Sequence, residues 1–131
     1  MNVLRLSIPP LPRFAGTARR AFSDFAGFHH LAPRDAESLI FALGEAIANA
    51  IQHAHTHEAI EIRVSVEGNL VVASVIDRGQ GFAPPNEKVG LPSVQAEGGR
   101  GFAIMQRCTD FLDVSSTLGA GTTVTLGRYR R

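Results

Sequence analysis

The chain has 131 residues, 44% of them hydrophobic, which fits one globular domain and argues against extended disorder. Its 13 Lys and Arg nearly balance its 12 Asp and Glu, so it lacks the basic excess that is typical of nucleic-acid binders. One cysteine, no apolar run of about 18 residues and no signal-peptide pattern predict a soluble cytoplasmic protein without disulfides or a membrane span.

The first part of the chain predicts a strand and then two helices. Residues 3–8 alternate loosely and predict the strand, which nearby prolines end because proline lacks a ladder donor. Apolar residues at three- and four-residue steps predict a helix over 14–31. Pro33 is expected to interrupt the helical pattern, and Asp35 is expected to start the next helix as a cap or first-turn acid. Four phenylalanines of the first helix are assigned to the core, with a partner-binding surface as the alternative: Phe14, Phe22, Phe25 and Phe28.

The clearest helix covers residues 35–54. One side carries an apolar stripe: Leu39, Ile40, Leu43, Ile47, Ala50 and Ile51. The opposite side is small and polar: Ser38, Phe41, Ala42, Glu45, Ala48, Asn49 and Gln52. The segment contains no Lys or Arg, although a solvated face would be expected to carry several long charged side chains. This composition therefore indicates that something packs on the second face.

The second part of the chain predicts four strands: 59–66, 70–76, 111–116 and 122–127. Residues 79–101 are rich in Gly and Pro and predict a long loop, and 102–109 resume helical spacing. The basic residues 128, 130 and 131 are interpreted as a solvated tail. Because regular βαβ alternation is absent, the predicted fold class is α+β, a two-layer α/β sandwich. Its sheet is expected to be mixed but mostly antiparallel, with helices on one face.

Glu45 and Asn49 lie one turn apart on the long helix and project from the same side. Glu can take a proton, and Asn offers a neutral oxygen to Mg²⁺, which favours one or two protein oxygens together with substrate phosphates. An ordinary polar helix face is the alternative interpretation. His53, His55 and His57 alternate nearby, but alternation spreads side chains around a helix, so a zinc site is not favoured.

Three glycine-containing segments follow in order. Asp77-Arg78-Gly79-Gln80-Gly81-Phe82 places a carboxylate at a strand end, where it could accept from an exocyclic amine such as that of adenine. Gly98-Gly99-Arg100-Gly101 leads into a helix, a setting that suits phosphates. Gly119-Ala120-Gly121-Thr122-Thr123 reads alone as a hairpin turn and strand. Each segment alone has a plain structural alternative, namely a tight turn or a flexible loop.

The ordered set resembles the Bergerat-fold (GHKL) ATPases, the superfamily of gyrase, the heat-shock chaperone and histidine kinases. Glu45-Ala46-Ile47-Ala48-Asn49-Ala50 matches its N-box, and Asp77–Phe82 its first glycine box. Gly99-Arg100-Gly101-Phe102-Ala103-Ile104-Met105 matches the second glycine box, and Gly121-Thr122 the terminal Gly-Thr box. The resemblance spans roughly residues 14–127. It implies one histidine kinase-like ATPase domain over 1–131, with a lid loop at about 83–100.

Within that superfamily the chain looks most like the anti-sigma factor serine/threonine kinases. The resemblance implies that Glu45 is the catalytic base and that Asn49 ligates Mg²⁺. It also implies that Asp77 reads adenine, assisted by Thr122 through water, and that the Gly99–Gly101 turn contacts phosphates. The full set of ATP/ADP-binding residues implied in this way is Asn49, Asp77, Gly79, Gly81, Gly99, Arg100, Gly101, Phe102 and Thr122.

The implied function is phosphorylation of a serine or threonine on an anti-anti-sigma (STAS-type) partner, together with sequestration of a sigma factor. The alternative is a non-catalytic ATP/ADP-binding interaction module, because some of these kinases carry a basic residue where this chain has Glu97-Gly98. A third possibility, a detached histidine-kinase catalytic domain, would need a partner helix pair bearing the phospho-acceptor histidine, and the sequence shows no such hairpin. No direct nucleic-acid or membrane contact is expected, and the first helix and strand offer surfaces for a homodimer.

Overall fold

A computed structural model describes residues 2–54, 57–80 and 103–130 of the chain. Five strands form one sheet: β1 (Val3–Ile8), β2 (Ile60–Glu67), β3 (Leu70–Asp77), β4 (Phe111–Thr117) and β5 (Gly121–Tyr129). Their spatial order is β1-β2-β3-β5-β4, and every neighbouring pair is antiparallel. The predicted α+β class is therefore confirmed, with a fully antiparallel sheet in the described part of the chain.

Two long helices supply the second layer. A 3₁₀ turn (Pro12–Phe14) leads into α1 (Ala15–Phe28), and α2 follows (Pro33–Ala54). Residues 103–108 are also helical. Alternate strand residues and the apolar stripes of both helices meet in one core, which includes Phe22, Leu43, Ile47, Ile62, Val75 and Leu126. The opposite face of the sheet carries the other set of alternating side chains, which are partly or fully exposed.

Helix α1 is shorter than the predicted segment of 14–31. It ends at Phe28 because His30 adopts a left-handed conformation, with φ of 55°. The amide of Leu31 then donates to the carbonyl of Ala26 and that of His30 to Gly27, the pairing that closes many helix C-termini. Buried Leu31 continues the apolar spacing beyond the helix, which is why the spacing predicted a helix that is three residues too long at its C-terminal end.

The two helices are separate, as the prediction of a break at Pro33 requires, but α2 begins at Pro33 itself rather than at residue 35. Proline suits the first helical turn because the amide it lacks would have no intrahelical partner there. Asp35 lies in that first turn, as predicted. Phe22 and Phe25 are buried and Phe14 is partly buried, but Phe28 is 64% exposed and does not belong to the core.

The interpretation of residues 128, 130 and 131 as a solvated tail is wrong for the two that the structure describes. Arg128 belongs to β5 and forms an ion pair with Asp35 inside the protein. Arg130 donates from Nη2 to the carbonyl oxygen of His29 at 2.8 Å, so it contacts the segment after α1. Within the described residues, no helix is long and apolar enough to cross a membrane.

Candidate functional site

Asp77 is the last residue of β3 and is buried, with 7% of its surface exposed. Its Oδ1 atom accepts the backbone amide of Gly79 at 3.0 Å, and the backbone of Thr122 also donates to the carboxylate. Burial raises the pKa of Asp77 above its ordinary value, and the two backbone hydrogen bonds oppose that shift. The site therefore holds a buried carboxylate at the end of a strand, fixed by main-chain donors.

Thr122 stands opposite Asp77 in the β3–β5 pairing and opposite Ser116 in the β4–β5 pairing. Its hydroxyl lies 2.8 Å from the Ser116 hydroxyl, which also donates to the carbonyl oxygen of Gly121 at 3.3 Å. Three adjacent strands thus present Asp77, Thr122 and Ser116 in one row. Sequence reasoning did not single out Ser116, although its place in the alternating pattern of β4 puts it on the helix-covered side.

Gly121 allows β5 to approach the end of β3 closely. Its φ of 111° is one that residues with a side chain rarely adopt, and a Cβ there would collide with the carbonyl oxygen of Asp77. The β4–β5 turn is also tied to the chain after β3, because the amide of Gly119 donates to the carbonyl oxygen of Gln80 at 2.5 Å. Residues 77–80 and the β4–β5 turn are therefore held together directly.

Glu45 and Asn49 are half-buried on α2, one turn apart, as the sequence predicts for two residues on one side of a helix. Within the described residues, no hydrogen bond or ion pair occupies either side chain. Helix α2 packs across β3, whose last residue is Asp77, and β5, whose second residue is Thr122. Ala42 and Ala46 are fully buried, so these two small residues serve the packing of the helix, whereas Ala48 is exposed.

A cation adjoins this turn of α2. The side chain of Arg19, from α1, crosses α2 at Gly44, where a Cβ would lie 3.7 Å from its Cδ. Gly44 immediately precedes Glu45 in the chain. Neither Arg19 nor Gly44 was singled out from the sequence, because their approach depends on how α1 and α2 cross.

The remaining predicted ligand-binding residues lie outside the described residues: Gly81, Gly99, Arg100, Gly101 and Phe102. The predicted lid over 83–100 lies outside them as well. The structure thus brings Asp77, Gly79 and Thr122 together and places Glu45 and Asn49 side by side on α2. Among the described residues, no group of three or more His, Cys, Asp or Glu could hold a metal ion. A Mg²⁺ bound through one amide oxygen and phosphates would not need such a group.

A family model described as histidine kinase-like ATPase domain matches residues 8–128. The chain is 29% identical to the anti-sigma F factor of Thermoanaerobacter sp. (strain X514), over 98% of this chain and 94% of the relative. It is also 29% identical to the serine-protein kinase RsbW of Bacillus velezensis, over 98% of this chain and 86% of that protein.

Solved structures share the fold. The RsbU and RsbW domains of a Mycobacterium tuberculosis protein superpose with a TM-score of 0.78 at 22% identity, over 99% of this chain. This chain spans only 33% of that longer chain. The structure of the SiaB–SiaC complex from Pseudomonas aeruginosa gives a TM-score of 0.68 at 14% identity, over 95% of this chain and 88% of that one.

Proposed function

The chain belongs to the family of histidine kinase-like ATPase domains, and on that premise we propose that it is an ATP-binding anti-sigma regulator. It phosphorylates a serine or threonine of an anti-anti-sigma (STAS-type) protein and sequesters a sigma factor. The predicted Bergerat-fold membership is confirmed, and the names of the relatives confirm the class of anti-sigma serine/threonine kinase. Both partners act in transcription, so the proposal keeps the cytoplasmic location.

The observation that carries the proposal is the buried Asp77 carboxylate at the end of β3. Its register partner is Thr122, near the start of β5, and a glycine-containing segment adjoins each residue. A carboxylate accepts hydrogen bonds only, so it suits the exocyclic amine of adenine. Gly121 leaves no side chain between the strands, and Thr122 stands opposite Asp77 in the strand pairing. These residues fit an adenine nucleotide, and the phosphate end of that nucleotide would extend toward the predicted Gly99–Gly101 turn.

Asn49 is the residue that would hold Mg²⁺, through its side-chain oxygen, and bound MgATP supplies the phosphoryl group. Glu45 lies one turn earlier on the same helix and is half-buried. In the proposed reaction its carboxylate accepts the proton of the acceptor hydroxyl as that oxygen bonds to the terminal phosphorus of ATP. The bond from that phosphorus to the bridging oxygen breaks, and ADP leaves. Asn49 therefore orients the donor and Glu45 activates the acceptor, which separates binding from catalysis on a single helix.

Two variants test these roles separately. Titration with ADP and ATP by calorimetry should show binding to the wild type and none to Asp77→Asn, because an amide in place of the carboxylate can present a donor to adenine. Glu45→Gln should keep nucleotide affinity and lose phosphoryl transfer to the anti-anti-sigma protein. If Glu45→Gln transfers phosphate at the wild-type rate, the base is another group. If the wild type binds nucleotide but phosphorylates no candidate partner, the non-catalytic interaction module becomes the better account.

A further inference from the structure

Phe41 is the one large apolar residue that is exposed on the described part of α2, with 59% of its surface accessible. The other large apolar residues of this helix are buried or half-buried against the sheet and α1. A lone exposed apolar residue needs no explanation by itself. The position of Phe41 on the helix that carries Glu45 gives it a more specific meaning.

Phe41 and Glu45 are four positions apart in the sequence, so their side chains are neighbours on the helix surface. Side chains on a helix lean toward its N-terminus and cover the preceding turn. The carboxylate of Glu45 therefore leans over the turn that carries the Phe41 ring. A hydroxyl group brought to that carboxylate arrives beside the ring.

We propose that Phe41 is the apolar anchor on which the phosphoryl-accepting protein docks, through an apolar side chain close to its acceptor serine or threonine. The inference rests on the proposed function, since Glu45 activates the acceptor in that function. In the proposed function the acceptor hydroxyl reaches Glu45, one turn from Phe41 on the same helix, so an acceptor segment seated there adjoins the ring. Aromatic residues are enriched where protein interfaces lose their water, and truncating them there costs most affinity.

Phe41 lies farther along α2 from Asn49, the proposed Mg²⁺ ligand, than Glu45 does. Phe41 and Asn49 are eight residues apart, which places them about 12 Å apart along the helix axis. They also point about 80° apart around that axis, whereas Phe41 and Glu45 differ by about 40°. Phe41 therefore belongs to the acceptor side of Glu45, and its loss leaves the nucleotide-binding residues in place.

The chain offers a matched control in Phe28, which is 64% exposed on α1 and distant in sequence from Glu45. Steady-state transfer from ATP is measured with purified anti-anti-sigma proteins from the source genome, using the one that the wild type phosphorylates. Phe41→Ala should raise KM for this protein about tenfold, which corresponds to about 1.4 kcal/mol, with kcat and the Kd for ADP unchanged. Phe28→Ala should match the wild type, and Phe41→Tyr, which keeps the ring, should restore most of the affinity.

An unchanged KM in Phe41→Ala overturns the inference while leaving the proposed kinase intact. A loss in kcat or ADP affinity instead of KM overturns it too, because the ring would then serve the reaction or the nucleotide. A second copy of this chain could also contact the ring, and size-exclusion chromatography of Phe41→Ala and Phe28→Ala tests this. Dissociation of a dimer in Phe41→Ala with unchanged KM would assign the ring to self-association. If the wild type phosphorylates none of these proteins, the proposed function and this inference fail together.

Discussion

Arg128 and Asp35 form an ion pair inside the protein although 93 positions separate them in the chain. The Nε atom of Arg128 donates to Oδ1 of Asp35 at 2.8 Å, and the side chains are 11% and 2% exposed. The Nη1 atom of Arg128 also donates to the carbonyl oxygen of Cys108 at 3.1 Å. One guanidinium thus joins the first turn of α2, strand β5 and the end of helical residues 103–108.

Replacing Arg128 with Met should lower the free energy of unfolding by about 3–5 kcal/mol, because it removes the guanidinium that pairs with the buried Asp35 carboxylate. Urea unfolding at neutral pH measures the change. The double variant Asp35→Leu/Arg128→Met should lose less, since it leaves no uncompensated charge. Arg63→Met is the control: its pair with Glu61 is exposed, so a much smaller effect is expected. Equal losses in Arg128→Met and Arg63→Met would contradict a structural role for the buried pair.

Asp77→Asn should leave the ligand-free protein as stable as the wild type, or more stable, at neutral pH. Burial raises the pKa of this carboxyl in the folded state, so ionisation costs folding free energy, and the cost grows as pH rises through that pKa. The amide avoids this cost, and its single oxygen can still accept a backbone hydrogen bond from Gly79 or Thr122. Thermal unfolding at neutral and acidic pH tests this: the advantage of Asn should shrink as the pH falls. A variant that is clearly less stable at neutral pH would show that the charged form is favoured.

Thr122→Val should lower nucleotide affinity about fivefold to tenfold, the equivalent of one hydrogen bond of about 1 kcal/mol. The substitution keeps the branched shape but removes the hydroxyl that lies 2.8 Å from Ser116 beside Asp77. Thr125→Val is the matched control, because Thr125 is on the same strand, bonds to Ser74 at 3.3 Å and lies on the opposite face of the sheet. Calorimetric titration with ADP should separate the two; equal affinities would remove Thr122 from the site.

Gly121→Ala and Gly44→Ala should change stability in opposite directions. At 121 the backbone conformation and the collision with the Asp77 carbonyl oxygen predict a loss of about 1–3 kcal/mol or more. At 44 the added methyl makes ordinary contact with Arg19 and removes a helix-interior glycine, which predicts a gain of about 0.5–1 kcal/mol. Denaturant midpoints of the two variants give both values. A stable Gly121→Ala variant would mean that β3 and β5 can move apart at the site.

The sequence by itself determined the five strands, the position of Glu45 and Asn49 on one side of α2, and the family. Alternation and helical spacing report burial locally, so they revealed each element without reference to its neighbours. The helix ends were less accessible. Left-handed His30 and the first-turn Pro33 are settled by hydrogen bonds between particular backbone groups, which apolar spacing does not encode.

Only the tertiary structure decided which residues act together. Arg128 looked like part of a charged tail because the sequence contains no sign that Asp35 would lie beneath β5. Ser116 was an unremarkable strand residue until the antiparallel register placed it against Thr122 and beside Asp77. Strand register and helix crossing arise from contacts between residues distant in the chain, and these contacts bring Asp77, Thr122 and Ser116 into one row. The sequence therefore supplied the chemical groups, and the packing of α2 across β3 and β5 supplied their arrangement.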